Sequence, residues 1–202
     1  MDMNDQGVTS NWREQLPTLN GRLSVLREPT LADVGPLVDL LSIVDATRFG
    51  MDEPVSHLAV QQLVERLLRE RAAGVAFAHA ILPGVARPPV GLIYVRQLDP
   101  SFEVAELECT IAPSARGSGI FLDAAQIVGS FAFGTVGARR LESRILLRNG
   151  RGNTAFRKLG AVQEGILRRS IRINGEFADQ VLWSVLKDDW GSQWVSTASY
   201  VH

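Results

Sequence analysis

Apolar and polar residues alternate along several short stretches of the chain, and a period of two is typical of β-strands. Strands are predicted at residues 21–28, 75–82, 89–98, 104–112, 139–147 and, as a pair, within 165–186. Apolar residues at helical spacing predict helices at residues 30–44, 57–74, 120–137 and 153–161. This order of elements predicts a mixed β-sheet with helices on its faces, in an α/β or α+β domain.

Local signals mark several boundaries of these elements. Thr30, with Asp33 three residues later, is a candidate N-cap of the first helix. Asn153 is a candidate N-cap of the last helix. The dipeptide Asn174-Gly175 predicts a hairpin turn between the last two strands, because both central positions of a type I′ turn need positive φ.

The composition is typical of a globular protein with a substantial core, since 46% of the 202 residues are hydrophobic and 21% are charged. The formal net charge of −1 gives no electrostatic reason to expect binding to nucleic acid or to a membrane surface. No run approaches the roughly 18 apolar residues of a membrane span, and the first residues do not resemble a secretion signal. We therefore expect a soluble, cytoplasmic monomer or homodimer, with an N-terminal arm at 1–20, one domain at 21–190 and a C-terminal tail at 191–202.

The cysteine and histidine content indicates neither a disulfide framework nor a metal site. The single cysteine, Cys109, excludes an intramolecular disulfide and fits a reducing compartment. It lies on the apolar face of its predicted strand, so we interpret it as a core residue rather than a nucleophile. The spacing of His57, His79 and His202 does not suggest metal ligands, and no metal is expected.

A break in the apolar pattern at Pro113 is followed by Arg116-Gly117-Ser118-Gly119, directly before a predicted helix. A helix N-terminus carries a partial positive charge and unpaired N–H donors, so it favours an anion. The glycines let the backbone approach a bulky oxyanion, and the arginine adds a charge-assisted donor. The Walker pattern is absent, which argues against a nucleotide triphosphatase, and the full G-x-G-x-x-G fingerprint is absent too. The stretch predicts a pyrophosphate site, with an ordinary glycine-containing turn as the alternative.

Two carboxylates share one face of the strand predicted at 104–112. Glu106 and Glu108 are two residues apart, which places them about 6–7 Å from each other on the same face. If the strand is central, partial burial and mutual repulsion raise the pKa of at least one of them, as a general base working near neutral pH requires. The alternative is that the glutamates pair with arginines across the sheet, such as Arg96 or Arg144.

A third polar cluster follows the strand predicted at 139–147. Asn149 and Asn153 flank a Gly-Arg-Gly loop that opens a helix, where side-chain amides and free N–H groups converge. Turn and N-cap chemistry alone is the alternative interpretation, and it is stronger for Asn153 than for Asn149.

Together, these pieces of the chain resemble the GNAT-fold N-acetyltransferases, and most closely their RimJ/RimL-like branch of ribosomal-protein N-terminal acetyltransferases. The pieces are AELECTIAPSARGSGIFLDAAQIVGSFAF, then GARRLESR, then NGRGNTAFRKLGAVQEGILRRSIRINGEFADQVLWSVL. The segment LSVLREPTLADVGPLVDLL resembles the first strand and helix of the same branch, so the resemblance covers roughly residues 21–190. It implies a mixed, splayed sheet of about six to seven strands flanked by about four helices, with acetyl-CoA (coenzyme A) bound in the opening.

The resemblance also implies which residues bind the cofactor. The family's pyrophosphate loop, Q/R-x-x-G-x-G/A, is matched in its second half, whereas Ser114 occupies the leading position. The family's cofactor-side asparagine corresponds to Asn149, and the serine that usually follows three residues later is Gly152 here. The residues implied to bind the cofactor are Cys109, Thr110, Ile111, Arg116, Gly117, Ser118, Gly119, Ile120, Asn149, Asn153 and Phe156.

The reaction implied by the resemblance is transfer of an acetyl group to a primary amine by direct attack on the thioester. Glu106 occupies the common acidic position of the family, whereas Glu108 stands where a small residue is usual, and either is expected to act as general base. Backbone N–H groups near 109–111 are expected to polarise the thioester carbonyl. The acceptor, a protein or peptide α-amine or a small amine, is expected between the loop at 45–54 and the hairpin at 174–175. A non-catalytic acyl-CoA-binding or interaction domain of the same fold is the alternative.

Overall fold

The structure is a computed structural model, and it describes residues 11–43, 49, 51, 54–173 and 175–191. Its strands are β1 (Leu19–Asn20), β2 (Val25–Arg27), β3 (Ala76–Leu82), β4 (Gly91–Gln97), β5 (Val104–Ile111), β6 (Arg140–Leu146), β7 (Val162–Ile173) and β8 (Glu176–Leu186). Its α-helices are α1 (Val34–Leu41), α2 (His57–Ala73), α3 (Ile120–Phe131) and α4 (Gly150–Lys158).

All of these strands belong to one sheet, in the order β1-β2-β3-β4-β5-β6-β8-β7. Neighbouring strands are antiparallel except for β5 and β6, which are parallel. The predicted mixed sheet of an α/β or α+β domain is therefore confirmed, although it has eight strands rather than six or seven. The additional strand, β1, precedes the first predicted strand, because the chain turns at 21–24 and these two residues fold back onto β2.

Helices cover both faces of the sheet and create two hydrophobic cores. On one face, Ala105 and Leu107 of β5 lie in a core with Ala125 and Val128 of α3. On the other face, α1 and α2 pack over β3 and β4, and Leu92 is fully buried there. Because side chains alternate along a strand, the even-numbered residues of β5 point to the face that carries α1 and α2.

The first and third helices show how the chain marks its helix ends. Thr30 and Asp33 form the predicted capping box, with the Thr30 N–H donating to the Asp33 carboxylate at 2.8 Å, but this box caps a 3₁₀ turn at Leu31–Asp33 and α1 begins directly after it at Val34. The helix predicted at 120–137 ends as an α-helix at Phe131 and continues to Val136 as a π-helical turn. Gly137 closes this turn at a φ of 100°, a conformation that glycine adopts without steric cost.

The last helix begins earlier than the sequence pattern predicts, so the expectation of Asn153 as its N-cap is wrong. Asn149 is the N-cap, because its side-chain oxygen accepts a hydrogen bond from the Gly152 N–H at 2.9 Å. The helix therefore starts at Gly150, three residues before the predicted start. The two glycines in the first turn weaken the apolar period there, which hides this turn from a prediction based on periodicity.

The described part of the N-terminal arm, residues 11–20, packs against the domain. Trp12 and Leu16 are buried, and the Trp12 ring meets Phe77 and Phe102 edge-on at centroid distances of 5.9 and 5.8 Å. Residues 1–10 and the tail at 192–202 lie outside the described residues. Among the helices that the structure describes, none has both the length and the apolar character needed to cross a bilayer.

Candidate active site

A gap between the parallel strands β5 and β6 opens the sheet at its centre. The two strands pair only from Val104–Arg140 to Glu106–Glu142, although both continue for several residues. Where the pairing stops, the Ser143 hydroxyl donates to the Leu107 carbonyl at 2.8 Å. A side chain thus replaces the next backbone hydrogen bond between the strands, and beyond it these two fully described strands diverge.

Backbone polar groups of β5 face this gap. The Ala112 N–H donates to the Val90 carbonyl at 2.8 Å, and the register with β4 runs without a break from there to Ala105. Hydrogen bonding alternates between the two sides of a strand, so the even-numbered residues of β5 bond to β4. The N–H and C=O groups of Cys109 and Ile111 consequently point toward β6, where the strands are apart.

The chain leaves β5 through residues 112–119, here called the lip, and enters α3 at Ile120. Gly117 and Gly119 have φ angles of 80° and 87°, in the left-handed region that other residues adopt rarely. Gly119 is the N-cap of α3, and no side-chain cap hydrogen bond forms there. A Cβ added at Gly117 would meet no described protein atom within 4 Å. The backbone of the lip is therefore accessible to a molecule that approaches the helix end.

Arg116 and Ser118 complete the lip. The Arg116 side chain is exposed, and its Nε donates to the Ile111 carbonyl at 3.3 Å, which holds the guanidinium at the end of β5. The Ser118 hydroxyl donates to the Ala115 carbonyl at 2.7 Å and accepts from the Ile120 N–H at 3.3 Å. The lip thus combines the positive end of a helix with a guanidinium, an arrangement that favours an anion.

Asp123 of α3, which no sequence motif marked as functional, holds residues 22–24 beside the lip. Its carboxylate accepts hydrogen bonds from the Arg22 N–H (2.9 Å), the Leu23 N–H (3.0 Å) and the Ser24 hydroxyl (2.7 Å). Burial opposes ionisation of this carboxyl, but the hydrogen bonds from Ser24 and the two N–H groups outweigh it and lower the pKa of Asp123. The partners lie about a hundred positions apart in sequence, so no local pattern could reveal this contact.

Glu106 is paired with two arginines. It is only 4% exposed, Arg96 binds one of its carboxylate oxygens, and Arg144 binds the other at 2.6 Å. This is the cross-sheet pairing that the sequence left open as an alternative, and it occupies both oxygens of Glu106. Because Arg144 belongs to β6, its ion pair with Glu106 also connects β5 to β6 at the start of the gap, on the face that carries α1 and α2.

Glu108 is in a different electrostatic position. Its contact with a cation is the 3.7 Å separation between its carboxylate and Nε of Arg96, whose guanidinium already binds Glu106. Burial, followed by repulsion from Glu106, raises the pKa of Glu108, although the surrounding arginines partly oppose this effect. The side chain keeps 24% of its surface exposed, so it remains accessible to a molecule outside the protein.

The ion pairs continue from Glu106 across the sheet toward its far edge. Arg144 also reaches Glu142 at 3.3 Å, and Arg140 then connects Glu142 (2.9 Å) to Glu164 of β7 (2.8 Å). Each of these glutamates lies against one or two guanidinium groups. Among these four glutamates, Glu108 therefore has the longest contact with a cation, 3.7 Å.

Asn149 and Asn153 lie on the β6 side of the gap, and both side chains make hydrogen bonds within the protein. Besides capping α4 through Asn149, the pair fixes the loop after β6, because the Asn153 amide donates to the Leu146 carbonyl at 3.0 Å. The Asn153 side-chain oxygen accepts from the Trp183 indole at 2.8 Å. A Cβ added at Gly152 would come within 2.8 Å of the Asn149 amide nitrogen, so a serine there would require the Asn149 side chain to shift.

Of the remaining residues expected to bind a cofactor, Cys109 and Ile111 are half-buried and three others are buried. Thr110 and Ile120 are 5% and 4% exposed, and Phe156 is 6% exposed. The Phe156 ring meets the Phe121 ring at a centroid distance of 5.6 Å, so the two helices that flank the gap are in contact through these rings. Burial raises the pKa of the Cys109 thiol, which keeps it protonated and fits its interpretation as a core residue.

On the α1/α2 face, Glu108 has an aromatic neighbour. Tyr94 is its cross-strand partner on β4, and the Tyr94 hydroxyl donates to the Glu70 carboxylate at 2.9 Å. Burial, followed by the charge of Glu70, raises the pKa of Tyr94, so the phenol stays neutral. The Phe49 ring lies edge-on to Tyr94 at 6.1 Å. Residues 45–48, 50 and 52–53 of the loop expected to border the acceptor lie outside the described residues.

The hairpin expected on the other side of the acceptor site extends beyond the body of the sheet. Its strands pair as far as Ile173 and Glu176, Gly175 has a φ of 85°, and Asn174 lies outside the described residues. Arg172 stacks on the Phe177 ring at 5.4 Å.

The described histidines are placed away from the gap. His57 is the first residue of α2, and buried His79 has its pKa lowered to about 4 because burial disfavours the charged ring. His202 lies outside the described residues. Within the part of the chain that the structure describes, no three histidine, cysteine, aspartate or glutamate side chains gather as metal ligands would.

Comparison with known proteins identifies the family. Residues 24–162, more than half of the chain, match the family described as "Acetyltransferase (GNAT) domain". The chain is 32% identical over 73 residues to "Probable N-acetyltransferase YjcK" of Bacillus subtilis, covering 36% of this chain and 40% of that protein. It is 28% identical over 100 residues to "Putative ribosomal N-acetyltransferase YdaF" of the same organism, covering 50% of this chain and 55% of that protein. These alignments span about half the length of the curated relatives or less.

Solved structures agree with this assignment at the level of the fold. "Mycobacterium smegmatis RimJ in complex with CoA-disulfide" superposes with a TM-score of 0.77 at 19% identity, covering 93% of this chain and 96% of that one. The ribosomal-protein-S5-alanine acetyltransferase of Vibrio fischeri superposes with a TM-score of 0.74 at 18% identity, covering 86% and 98%. The relatives and structures include ribosomal-protein acetyltransferases, in agreement with the RimJ/RimL-like resemblance. The predicted GNAT fold is confirmed, and the chain belongs to the GNAT acetyltransferase domain family.

Proposed function

We propose that this protein is an acetyl-CoA-dependent N-acetyltransferase that acetylates a primary amine. The observation that carries the proposal is the separation of β5 from β6 directly beneath the lip. The lip offers helix N–H groups and Arg116 to an anion, and the gap offers the backbone of Cys109 and Ile111 to an extended chain. A molecule with a diphosphate at one end and an amide-containing arm at the other matches both features.

The residues present fit coenzyme A in two further respects. The glycine backbone at 117 is accessible, since no described atom lies within 4 Å of the position that a Cβ would take there. The odd-numbered residues of β5 have N–H and C=O groups without a strand partner at the gap, which are the groups that an amide-containing arm would pair with. Lip residues 116–119, Ile120 of α3 and β5 residues 109–111 are therefore our candidates for the cofactor contacts. Acetyl-CoA supplies the activated acetyl group as a thioester.

We assign the role of general base to Glu108 rather than Glu106. A base must give up contacts to accept a proton, and both oxygens of Glu106 bind guanidinium groups that stabilise its charge. Glu108 has its pKa raised by burial and by Glu106, keeps an accessible side chain and has the weakest contact with a cation. It is thus suited to bind a substrate ammonium group and to take its proton, directly or through water.

The other groups of the site position the reactants. After Glu108 takes a proton from the ammonium, the amine nitrogen attacks the acetyl carbonyl carbon and a C–N bond forms. The C–S bond then breaks, and coenzyme A leaves as a thiolate that takes up the proton lost by the nitrogen as the amide forms. The N–H groups of Cys109 and Ile111 face the gap and are placed to donate to the carbonyl oxygen as charge develops on it. Arg96 and Arg144 hold Glu106, and through it they fix the start of the gap.

An N-terminal α-amine of a protein is the first acceptor to test, because two of the similar proteins are named as acting on ribosomal proteins. Small primary amines are the second group of acceptors. Release of coenzyme A in the presence of N-terminal peptides of ribosomal proteins, amino acids and polyamines separates these groups. A peptide with a blocked N-terminus is the matched control for each active peptide.

Two single variants test the mechanism. Glu108→Gln should lower kcat by about 100-fold or more, the usual contribution of a general base, and leave the Kd for acetyl-CoA within about two-fold. Glu106→Gln, the matched control, should leave kcat within about ten-fold and lower the free energy of unfolding by about 2 kcal/mol, because two guanidinium groups lose their anion. Equal rates for Glu108→Gln and wild type would rule out the assigned base, and absence of acetyl-CoA binding would rule out the function.

The pH dependence gives an independent measurement of the same assignment. The rate should fall on acidification as Glu108 becomes protonated, with a midpoint above the value of about 4.3 for an ordinary glutamate, because its pKa is raised. In Glu108→Gln this acidic inflection should disappear from the profile of kcat against pH. If binding of acetyl-CoA were retained with no turnover of any acceptor, the chain would instead be a non-catalytic acyl-CoA-binding domain.

A further inference from the structure

Arginines are concentrated in the connections at one end of the sheet. This end is defined by the register, which places the end of β3 beside the start of β2 and the start of β4 beside the end of β5. Four of the connections there, residues 21–24, 83–90, 112–119 and 147–149, contain no aspartate or glutamate. Together with the first turn of α4 they contribute five arginines, here called the arginine rim: Arg22, Arg87, Arg116, Arg148 and Arg151.

The opposite end of the sheet has the reverse balance. Its connections at 98–103, 137–139 and 187–189 contain four acidic residues, Asp99, Glu103, Asp188 and Asp189, against Arg139 and Lys187. The net charge of −1 therefore conceals a separation of charge between the two ends. Such a separation concentrates anions at the arginine rim, and the effect increases with the charge of the anion.

The backbone of Arg22, one member of the rim, is held beside the lip by hydrogen bonds. Its N–H donates to the Asp123 carboxylate at 2.9 Å, and the neighbouring Leu23 N–H donates to the same group at 3.0 Å. The Leu23 side chain would lie 3.1 Å from a Cβ added at Gly119, so the residue next to Arg22 lies against the lip itself. The Arg22 side chain is exposed, and no hydrogen bond or ion pair to another described residue involves it.

We propose that the arginine rim binds the 3′-phosphate of coenzyme A and that Arg22 contacts it, an inference that rests on the proposed function. Coenzyme A carries a diphosphate and a separate phosphomonoester on its ribose. The helix N–H groups of the lip and Arg116 are sufficient donors for the diphosphate, which leaves Arg22 beside the lip for the second phosphate. A phosphomonoester carries close to two negative charges at neutral pH, and a guanidinium binds it through charge-assisted hydrogen bonds.

The test compares coenzyme A with 3′-dephospho-coenzyme A by isothermal titration calorimetry. Wild-type protein should bind coenzyme A about ten-fold more tightly than the dephospho form, because only the former reaches the rim with its extra phosphate. Arg22→Gln should weaken coenzyme A binding by about five-fold and leave binding of the dephospho form within about two-fold. Arg69→Gln is the matched control, since Arg69 is an exposed arginine of α2 toward the acidic end of the sheet, and it should change neither affinity.

The possible results separate this inference from the proposed function. Equal affinity of wild type for the two ligands, an unchanged preference in Arg22→Gln, or equal weakening of both ligands by that variant would each overturn the assignment to the 3′-phosphate. Binding of neither ligand to the wild type would overturn the proposed function itself. Thermal unfolding of each variant checks that the fold is retained, and an exposed side chain such as Arg22 should leave Tm unchanged.

Discussion

The starts of α3 and α4 are alike in composition and differ in how their N–H groups are used. Each follows a strand that borders the gap, and each contains an arginine and two glycines within a few residues. At α4 the Asn149 side chain accepts from the Gly152 N–H, so the protein itself caps the helix. At α3 the N-cap is Gly119, which has no side chain to offer. Apart from the long contact of the Ile120 N–H with the Ser118 hydroxyl, the start of α3 therefore leaves its helix N–H groups available to an anion, whereas the start of α4 does not.

The largest expected effect comes from placing a negative charge at the uncapped helix start. Gly119→Asp should weaken acetyl-CoA binding by about 100-fold, because a carboxylate competes with the diphosphate for the helix N–H groups and repels it. Aspartate adopts a left-handed backbone more readily than most residues, and the Leu23 side chain, 3.1 Å from the position of the added Cβ, must shift by a few tenths of an ångström.

Gly150→Asp is the control for this substitution at the other helix start. A Cβ at Gly150 would meet no described atom within 4 Å, and an acidic residue in a first turn favours a helix. Calorimetry should show an affinity within about three-fold of wild type. If Gly150→Asp weakened binding as much as Gly119→Asp, the distinction between the two helix starts would be lost.

The next effect concerns how the uncapped start is supported. Asp123→Asn should lower the free energy of unfolding by about 2 kcal/mol at neutral pH, because three hydrogen bonds to a charged, buried carboxylate are weakened. The folded-state pKa of Asp123 is lowered, so its stabilisation is present above the unfolded value of about 3.9 and is lost as pH falls through the folded value.

Urea denaturation of wild type and Asp123→Asn at several pH values measures this contribution. The difference in stability between the two proteins should be constant near neutral pH and shrink on acidification below about pH 4. A difference that did not change with pH would show that the charge of Asp123 is not what holds residues 22–24.

The smallest effect is the loss of the cap on α4. Asn149→Ala should lower the free energy of unfolding by about 1 kcal/mol, the usual cost of removing an N-cap side chain. Ser118→Ala at the lip should cost less than half of that, since the Ile120 N–H contact is long at 3.3 Å. Chemical denaturation of the two variants gives the comparison directly, and a larger cost for Ser118→Ala would contradict it.

The fold could be predicted from the sequence wherever the signal was local. The amphipathic α2 and the capping box at Thr30 depend on residues within a few positions of each other, and both are present in the structure. The order of strands and helices resembled the GNAT fold closely enough to imply the sheet. The turn at 21–24 that creates β1 depends on Asp123, about a hundred residues away, and no periodic pattern indicates it.

Part of the candidate site could be predicted from the sequence. Glu106 and Glu108 could be placed on one face of a central strand, but the alternation of side chains does not tell which of them meets an arginine. That distinction depends on Arg144 of β6. β6 lies beside β5 in the sheet but is separated from it in sequence by α3, so a local pattern does not indicate the contact. The arginine rim was hidden for the same reason, since a net charge adds residues together without regard to the end of the sheet they occupy.

The hydroxyl of Ser143 has a consequence for how this protein can vary. It is 2% exposed and satisfies the Leu107 carbonyl at the point where β5 and β6 part, so the sheet divides there without leaving that buried oxygen unpaired. Threonine offers the same oxygen, whereas alanine or valine would remove it. Substitution at this position is thus limited by the need for one oxygen atom. A related sequence whose strands separate at the same point, but which lacks a hydroxyl there, must supply another donor to the buried carbonyl.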